Sequence, residues 1–273
     1  MPPSEFDFGY IETLAQAPAG RGRVFFGKAI EPASNLPILL LVHGGYHGAW
    51  CFAHYLAHFD SLGIPAAAMD MRGHGGLAQD RDFAEQGVRD MAEDVAACCA
   101  VLPGPAIPVG HSAGALVTAA AGEKVQFHGL GLLAPSPPGQ LEGLHPLPLM
   151  PTGHPVAPPG ADICRHKFLE GEELADIQPF VERLCPESPR LLNDRYALAI
   201  HIDQSRFTMP ALCVSAGRDR GDLHPDGQDL ATAHFFGAEY HCLDDAPHCM
   251  MVSARWRASA QLIANWYRRI ADC

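Results

Sequence analysis

Five consecutive aliphatic residues, Ile38-Leu39-Leu40-Leu41-Val42, form a short apolar run with no polar face. A strand of that kind is stable only when both of its faces are covered, the situation of a parallel sheet with helices on either side. Elsewhere, apolar runs bounded by glycine and proline alternate with amphipathic stretches, the rhythm of an α/β protein. Strands are expected at residues 10–14, 23–30, 38–43, 66–71, 107–111, 129–134, 211–217 and 239–243, the first two as an antiparallel edge hairpin. Helices are expected at 49–62, 82–102, 113–122, 226–236 and 253–271, each between two strands or closing the chain. No repeat of solenoid period is present.

The alternation breaks after Pro135, where nine prolines fall within residues 135–159 and a mostly helical section follows. Helices are expected there at 162–172, at 174–184 with a kink at Pro179, and at 189–200, the last with Ser188 as N-cap and Pro189 at its first position. A long connection with its own small helices on an α/β core is more often an active-site cover than an independent unit. The expected organisation is a core of residues 1–135 and 206–273 with a helical cap at 136–205.

With 273 residues, 48% of them hydrophobic, the chain can bury a large core without a disulfide or metal. Its 27 glycines and 24 prolines, about a fifth of the chain, fall short of a low-complexity composition. A net charge of −12 repels a phosphate backbone and an anionic membrane surface, so neither nucleic acid nor membrane is expected as a partner. No apolar run reaches the length of a membrane helix, and the first residues lack the basic and apolar regions of a secretory signal. Nine scattered cysteines, with no C-x-x-C pair, fit a reducing compartment, and a cytoplasmic location is expected. The expected partner is a partly apolar small-molecule substrate, with a homodimer left open.

The strongest chemical signal is Gly110-His111-Ser112-Ala113-Gly114, a G-x-S-x-G between an expected strand and a helix of small residues. That context is the one a nucleophile elbow requires: a sharp turn exposes the serine at the strand's end, and the flanking glycines let helix and strand approach. In isolation the pentapeptide is also compatible with a tight turn capped by serine. A second motif, Leu41-Val42-His43-Gly44-Gly45-Tyr46-His47-Gly48-Ala49-Trp50, runs from a strand through a glycine-rich turn. Histidine occurs in Asp245-Ala246-Pro247-His248-Cys249, after the last expected strand, and a carboxylate in Gly217-Arg218-Asp219-Arg220, after the one before it.

Taken together these motifs resemble the α/β-hydrolase fold family across nearly the whole core, with a local similarity of His43-Gly44-x-x-His47-Gly48-Ala49-Trp50 to the plant methylesterase and hydroxynitrile lyase branch. The resemblance implies an eight-stranded, mostly parallel sheet, no cofactor and no metal. It implies Ser112 as nucleophile, His248 as base and Asp219 as the acid that orients it, in the order Ser, Asp, His. It also implies an oxyanion hole made by the backbone N–H groups of Gly45 and Ala113. Asp222 and Asp226 are rivals for the acid, and Pro247 stands where the family commonly has glycine.

The expected activity is acyl transfer to water from a small carboxylic ester, thioester or lactone. Alternatives are a carbon–carbon bond hydrolase or lyase using the same triad, or a binding protein on a hydrolase scaffold. Cys249 stands where hydroxynitrile lyases of the plant branch have a lysine, which counts against cyanide elimination. His54 and His58 share a helix face, but Tyr55 follows His54, so the H-E-x-x-H zinc pattern is absent. Met69-Asp70-Met71-Arg72-Gly73-His74-Gly75 reads as a structural turn. In the cap, Ile163, Phe168, Leu169, Ile177, Phe180, Leu184, Tyr196 and Ile200 suggest an apolar roof, and Arg165 and Lys167 are cations that an anionic group could meet.

Overall fold

The computed structural model describes residues 6–33, 35–173, 176–219, 221 and 224–271. Eight strands form one sheet: β1 (Ala15–Ala19), β2 (Gly22–Phe26), β3 (Ile38–Val42), β4 (Ala66–Asp70), β5 (Ala106–His111), β6 (Leu130–Leu133), β7 (Ala211–Ala216) and β8 (Glu239–Leu243). Their spatial order is β1-β2-β4-β3-β5-β6-β7-β8; β1 and β2 pair antiparallel, β2 meets β4 antiparallel, and every later pairing is parallel. β3, β4, β5, β6 and β7 are buried along their whole length, as two-sided apolar runs require.

Residues 10–14 are not a strand. A 3-10 turn at Gly9–Thr13 buries Ile11, and the first strand follows at Ala15–Ala19. It contains Pro18, which an outermost strand tolerates because one row of its backbone groups has no partner strand. The second strand stops at Phe26 rather than residue 30. Gly27 crosses the end of β4 so closely that a Cβ there would lie 2.4 Å from the Ala66 carbonyl oxygen.

Five helices flank the core sheet: α1 (Ala53–Ser61), α2 (Val88–Val101), α3 (Ala113–Gly122), and, after the long β6–β7 connection, α7 (Gln228–Phe236) and α8 (Trp256–Ile270). The first two expected helices each begin with a 3-10 turn, at Ala49–Phe52 and Phe83–Glu85. Gly87 separates the second turn from α2, its N–H donating to Asp90 Oδ2 at 2.8 Å. All ten residues of α3 are buried, and only a helix of alanine, glycine and similarly compact residues fits so closely between β5 and α2.

The β6–β7 connection holds α4 (Ala161–Lys167), α5 (Gln178–Val181) and α6 (Pro189–Tyr196). The expected helix at 174–184 is reduced to α5, with Pro179 in its first turn, and residues 174–175 lie outside the described residues. α6 packs on α2 and α3. Asp194 on α6 accepts from the Val88 N–H at 3.0 Å, tying the connection to the start of α2. Among the described residues no helix is long and apolar enough to cross a membrane.

Ser188 caps α6 as expected: its hydroxyl accepts from the N–H groups of Arg190 and Leu191 and donates to the Gln86 carbonyl at 2.7 Å. Ser188→Ala removes the cap and leaves that buried carbonyl without its donor. The expected loss is about 1–2 kcal/mol of stability, read as a lower urea midpoint with an unchanged slope.

Candidate active site

The C-terminal ends of β3, β5, β7 and β8 all deliver loops to one cavity of about 290 Å³, lined in part by Gly45, Ser112, Ala113, Asp219 and His248. Open parallel sheets place ligand sites at these strand ends. Ser112 joins β5 to α3 with φ 53° and ψ −124°, a left-handed conformation that costs on the order of 1–3 kcal/mol for a residue with a side chain. Neighbouring bonds hold it there. Its N–H donates to the Leu133 carbonyl at 2.9 Å, and its carbonyl accepts from Ala115 at 2.9 Å and Ser136 at 3.0 Å.

The glycines of the pentapeptide are required by contact. A Cβ on Gly110 would sit 2.6 Å from Ala115 Cα, and one on Gly114 would sit 2.2 Å from the His43 carbonyl oxygen. Gly44 is also close to this turn, since a Cβ there would lie 2.9 Å from His111 Nδ1 and 3.0 Å from Ser112 Cβ. The turn after β3 therefore lies directly against the turn that bears Ser112.

The structure brings His248 and Asp219 together. Asp219 Oδ2 accepts from His248 Nδ1, which fixes the proton on Nδ1 and leaves Nε2 as a lone-pair base. The loops carrying the two residues are joined by the Gly217 N–H to the Leu243 carbonyl at 2.9 Å and the Arg218 N–H to the Ala246 carbonyl at 3.0 Å. On its other side the backbone carbonyl of His248 accepts from His111 Nε2 at 2.9 Å. Of the rival acids, Asp226 is exposed and is not part of the cavity wall, and Asp222 lies outside the described residues.

Gly45 and Ala113 both line the cavity, and among the described residues neither N–H donates to a protein acceptor. Ala113 is the first residue of α3, where helix geometry leaves N–H groups free. The next N–H along from Gly45, that of Tyr46, is taken by Glu187 Oε2 at 3.0 Å. Glu187 is fully buried and also accepts from His74 Nε2 at 3.0 Å and from the Ser188 N–H at 2.7 Å. Tyr46 has φ 67°, a second left-handed residue beside the site, and this carboxylate holds it in place. Glu187 thus ties the β6–β7 connection to the turn that bears Gly45.

His224 was not singled out by the sequence. Its Nδ1 lies 3.6 Å from Asp219 Oδ2 and 3.4 Å from Asp229 Oδ1, and its ring centroid is 4.8 Å from that of His248. Burial pushes Asp219 up, but the charges of His248 and His224 outweigh it and hold the carboxyl below its ordinary value. Burial likewise opposes protonation of His224, and Asp219 and Asp229 overcome it, raising the imidazole. Among the described residues, Asp219, His224 and His248 are also the one group of three ligand-type side chains close enough to share an ion. His54 and His58 form no such pair: His54 stacks on Trp256 at 5.2 Å, and His58 meets Gln261 at 3.3 Å.

Of the eight expected roof residues, Phe168 and Tyr196 line the cavity. Leu169, Ile177, Phe180, Leu184 and Ile200 are core, and Ile163 is half exposed. Lys167 borders the cavity and Arg165 does not. The wall also contains Arg195, Leu191 and Leu192 of α6, which carry no local signal that would select them.

The alpha/beta hydrolase family matches residues 39–262, and the chain belongs to that family and is a hydrolase of it. Protein phosphatase methylesterase 1 of Mus musculus is 34% identical over 94 residues, 33% of this chain and 24% of that protein. The chain thus spans about a quarter of the length of this relative. Among solved structures, the methylesterase MES16 from Arabidopsis is similar with a TM-score of 0.64 at 18% identity, over 84% of this chain and 98% of that one. Polyneuridine aldehyde esterase is similar with a TM-score of 0.66 at 18% identity and the same coverage. At such identity the structural likeness concerns the fold.

The histidines around the site set a pH dependence of stability. Burial lowers His43 and His111 well below 6.5 and His47 to about 4, so the folded chain keeps them neutral while the unfolded chain protonates them near 6.5. The unfolded state then binds more protons as pH falls, and stability drops below about pH 6.5. His74 and His224, raised in the fold, contribute stability that is fully present below that pH and is lost as pH rises through their folded values. The urea midpoint should therefore fall between pH 7 and 5, and His47→Asn should make that fall shallower; an unchanged slope would contradict the assignment.

Proposed function

We propose that the chain is a serine hydrolase that cleaves a small carboxylic ester, thioester or lactone through an acyl-enzyme on Ser112. The observation that carries this reading is the left-handed Ser112, which opens on the same cavity as a His248 whose Nδ1 is bound to Asp219. In this reading His248 Nε2 takes the hydroxyl proton as Ser112 Oγ bonds to the substrate carbonyl carbon. The carbonyl oxygen becomes an oxyanion held by the Gly45 and Ala113 N–H groups. Collapse breaks the bond to the alcohol or thiol, which leaves with the proton from His248. Water, deprotonated by His248, then attacks the acyl carbon and releases the acid and Ser112. Asp219 stays ionised throughout, steadying the imidazolium.

Residues 136–205 act as the cap of this site, contributing Lys167, Phe168, Leu191, Leu192, Arg195 and Tyr196 to the cavity wall. The names of the methylesterase relatives agree with an ester substrate. The eight described cysteines are all free thiols, which supports a cytoplasmic setting. A second reading, lyase chemistry or carbon–carbon bond cleavage by the same triad, has the His43 to Trp50 string in its favour. Cys249 weakens the cyanide-eliminating version of it: the side chain is buried, with its Sγ against His47 Nε2 at 3.5 Å, so it puts no cation beside His248.

Intact-mass spectrometry after exposure to a fluorophosphonate should show one adduct in the wild type and none in Ser112→Ala. Hydrolysis of p-nitrophenyl esters should fall by about a thousandfold or more in that variant with its fold retained. Equal turnover by folded Ser112→Ala would refute the proposal.

A further inference from the structure

His224 is not a member of the Ser112, His248 and Asp219 group, yet it faces two of the three. The side chain is 8% exposed and lines the cavity beside Asp219 and His248. Its Nδ1 lies 3.4 Å from Asp229 Oδ1 on α7 and 3.6 Å from Asp219 Oδ2, so one ring nitrogen faces two carboxylates. A lone pair aimed at both would be repelled, so that nitrogen carries a proton, and Asp229 accepts it in a hydrogen bond. Gln228 Nε2 lies 3.4 Å from the same nitrogen, with Gln228 Oε1 engaged by Arg195 Nη2 at 3.1 Å.

Asp219 and His248 share a direct hydrogen bond, closer than two ligands of one ion stand, so with His224 they form a hydrogen-bonded group rather than a set of ion ligands. The ring centroid of His224 is 4.8 Å from that of His248. Among the described residues, the other charged or titratable groups that face His224 are Arg195 on α6, which also faces Asp229, and His111 at the end of β5. His111 is kept neutral by its burial. Burial also opposes a charge on His224, yet Asp219 and Asp229 raise its pKa above 6.5. As pH falls through that raised value, His224 becomes a cation one ring away from the base.

We propose that His224 is a positioning residue for the triad: neutral, it steadies the Asp219 carboxylate with an N–H lodged between Asp219 and Asp229; protonated, it weakens His248 as a base. The inference rests on the serine-hydrolase reading, in which His248 becomes an imidazolium as Ser112 attacks. With His224 neutral, Asp219 answers to one cation, the imidazolium on His248. With His224 protonated, the same carboxylate is shared between two cations, and like charge stands beside the ring where the new cation must form. In a buried site solvent and salt screen that repulsion less than they do at the surface. The proton balance of the reaction is unaltered: His248 Nε2 takes the serine proton and returns it to the leaving group, and His224 exchanges none with the substrate.

The test follows kcat/KM for a p-nitrophenyl ester, which reports ionisations of the free enzyme, between about pH 8.5 and pH 6 in the wild type and in His224→Gln. Glutamine keeps an N–H donor and cannot take up a charge. The ratio of variant to wild-type kcat/KM should rise by about threefold or more over that fall in pH, because only the wild type gains the opposing cation. His224→Leu supplies no donor. It should lower kcat at the alkaline end by about tenfold with little change in KM, and His224→Gln should recover most of that loss. Asp229→Asn withdraws one of the two carboxylates that raise His224, so its acid fall in activity should begin at lower pH than in the wild type. This arm stands even where position 224 tolerates no change. A ratio constant with pH in folded His224→Gln, or in Asp229→Asn where the former does not fold, would overturn the assignment while leaving the hydrolase reading intact. Failure of the wild type to turn over any ester would remove both.

Discussion

Everything at the site depends on backbone meeting backbone where β3, β5 and α3 converge. Gly114 lies against the Val42 and His43 carbonyls, so the start of α3 rests directly on the backbone at the end of β3, and Gly44 lies against His111 and Ser112. That contact puts two N–H groups, of Gly45 and Ala113, on the wall of the cavity into which Ser112 opens. A methyl group at Gly114 would push the helix off the sheet and part the two donors. The all-buried, small-residue α3 follows from the same requirement, because only such a helix can descend close enough to the strands.

Around this contact the fold spends buried charge. Asp70 accepts from the Ala49 N–H and from Arg23, anchoring the segment after the glycine-rich turn to β4 and β2. His43 accepts from the Met71 N–H through Nε2 and so donates from Nδ1 to the Gly44 carbonyl, fixing the turn from the other side. Glu187 then joins Tyr46, His74 and Ser188. Each of these groups would be costly if left without a partner, so together they define one arrangement of the turn more sharply than apolar packing could. The β6–β7 connection is held to the core by the same carboxylate that positions the residue after Gly45.

The residues whose roles follow from local chain geometry were legible in the sequence: the two-sided apolar strands, the Gly110 to Gly114 elbow, the Ser188 cap of α6, and the loops after β7 and β8 that carry Asp219 and His248. The first strand was displaced because residues 10–14 place a single apolar side chain, Ile11, inward in a 3-10 turn, a pattern that five residues cannot distinguish from a strand. Glu187, His224 and Arg195 were hidden for another reason. Glu187 and Arg195 take their meaning from burial across the β6–β7 connection, with partners more than a hundred and about thirty residues away, and His224 takes its meaning from the loop after β7 folding onto Asp219 and His248. A glutamate between prolines, one of 15 histidines, or an arginine on a short amphipathic helix carries no local mark of that burial.

Acid-quenched mass spectrometry during the first turnover of a p-nitrophenyl ester addresses the role of Ser112 most directly. The expected result is a burst of nitrophenol matched by an acyl increment on the peptide containing Ser112, absent in Ser112→Ala. Steady turnover with no acylated peptide, or with the acyl group on a different residue, would contradict a mechanism built on this serine.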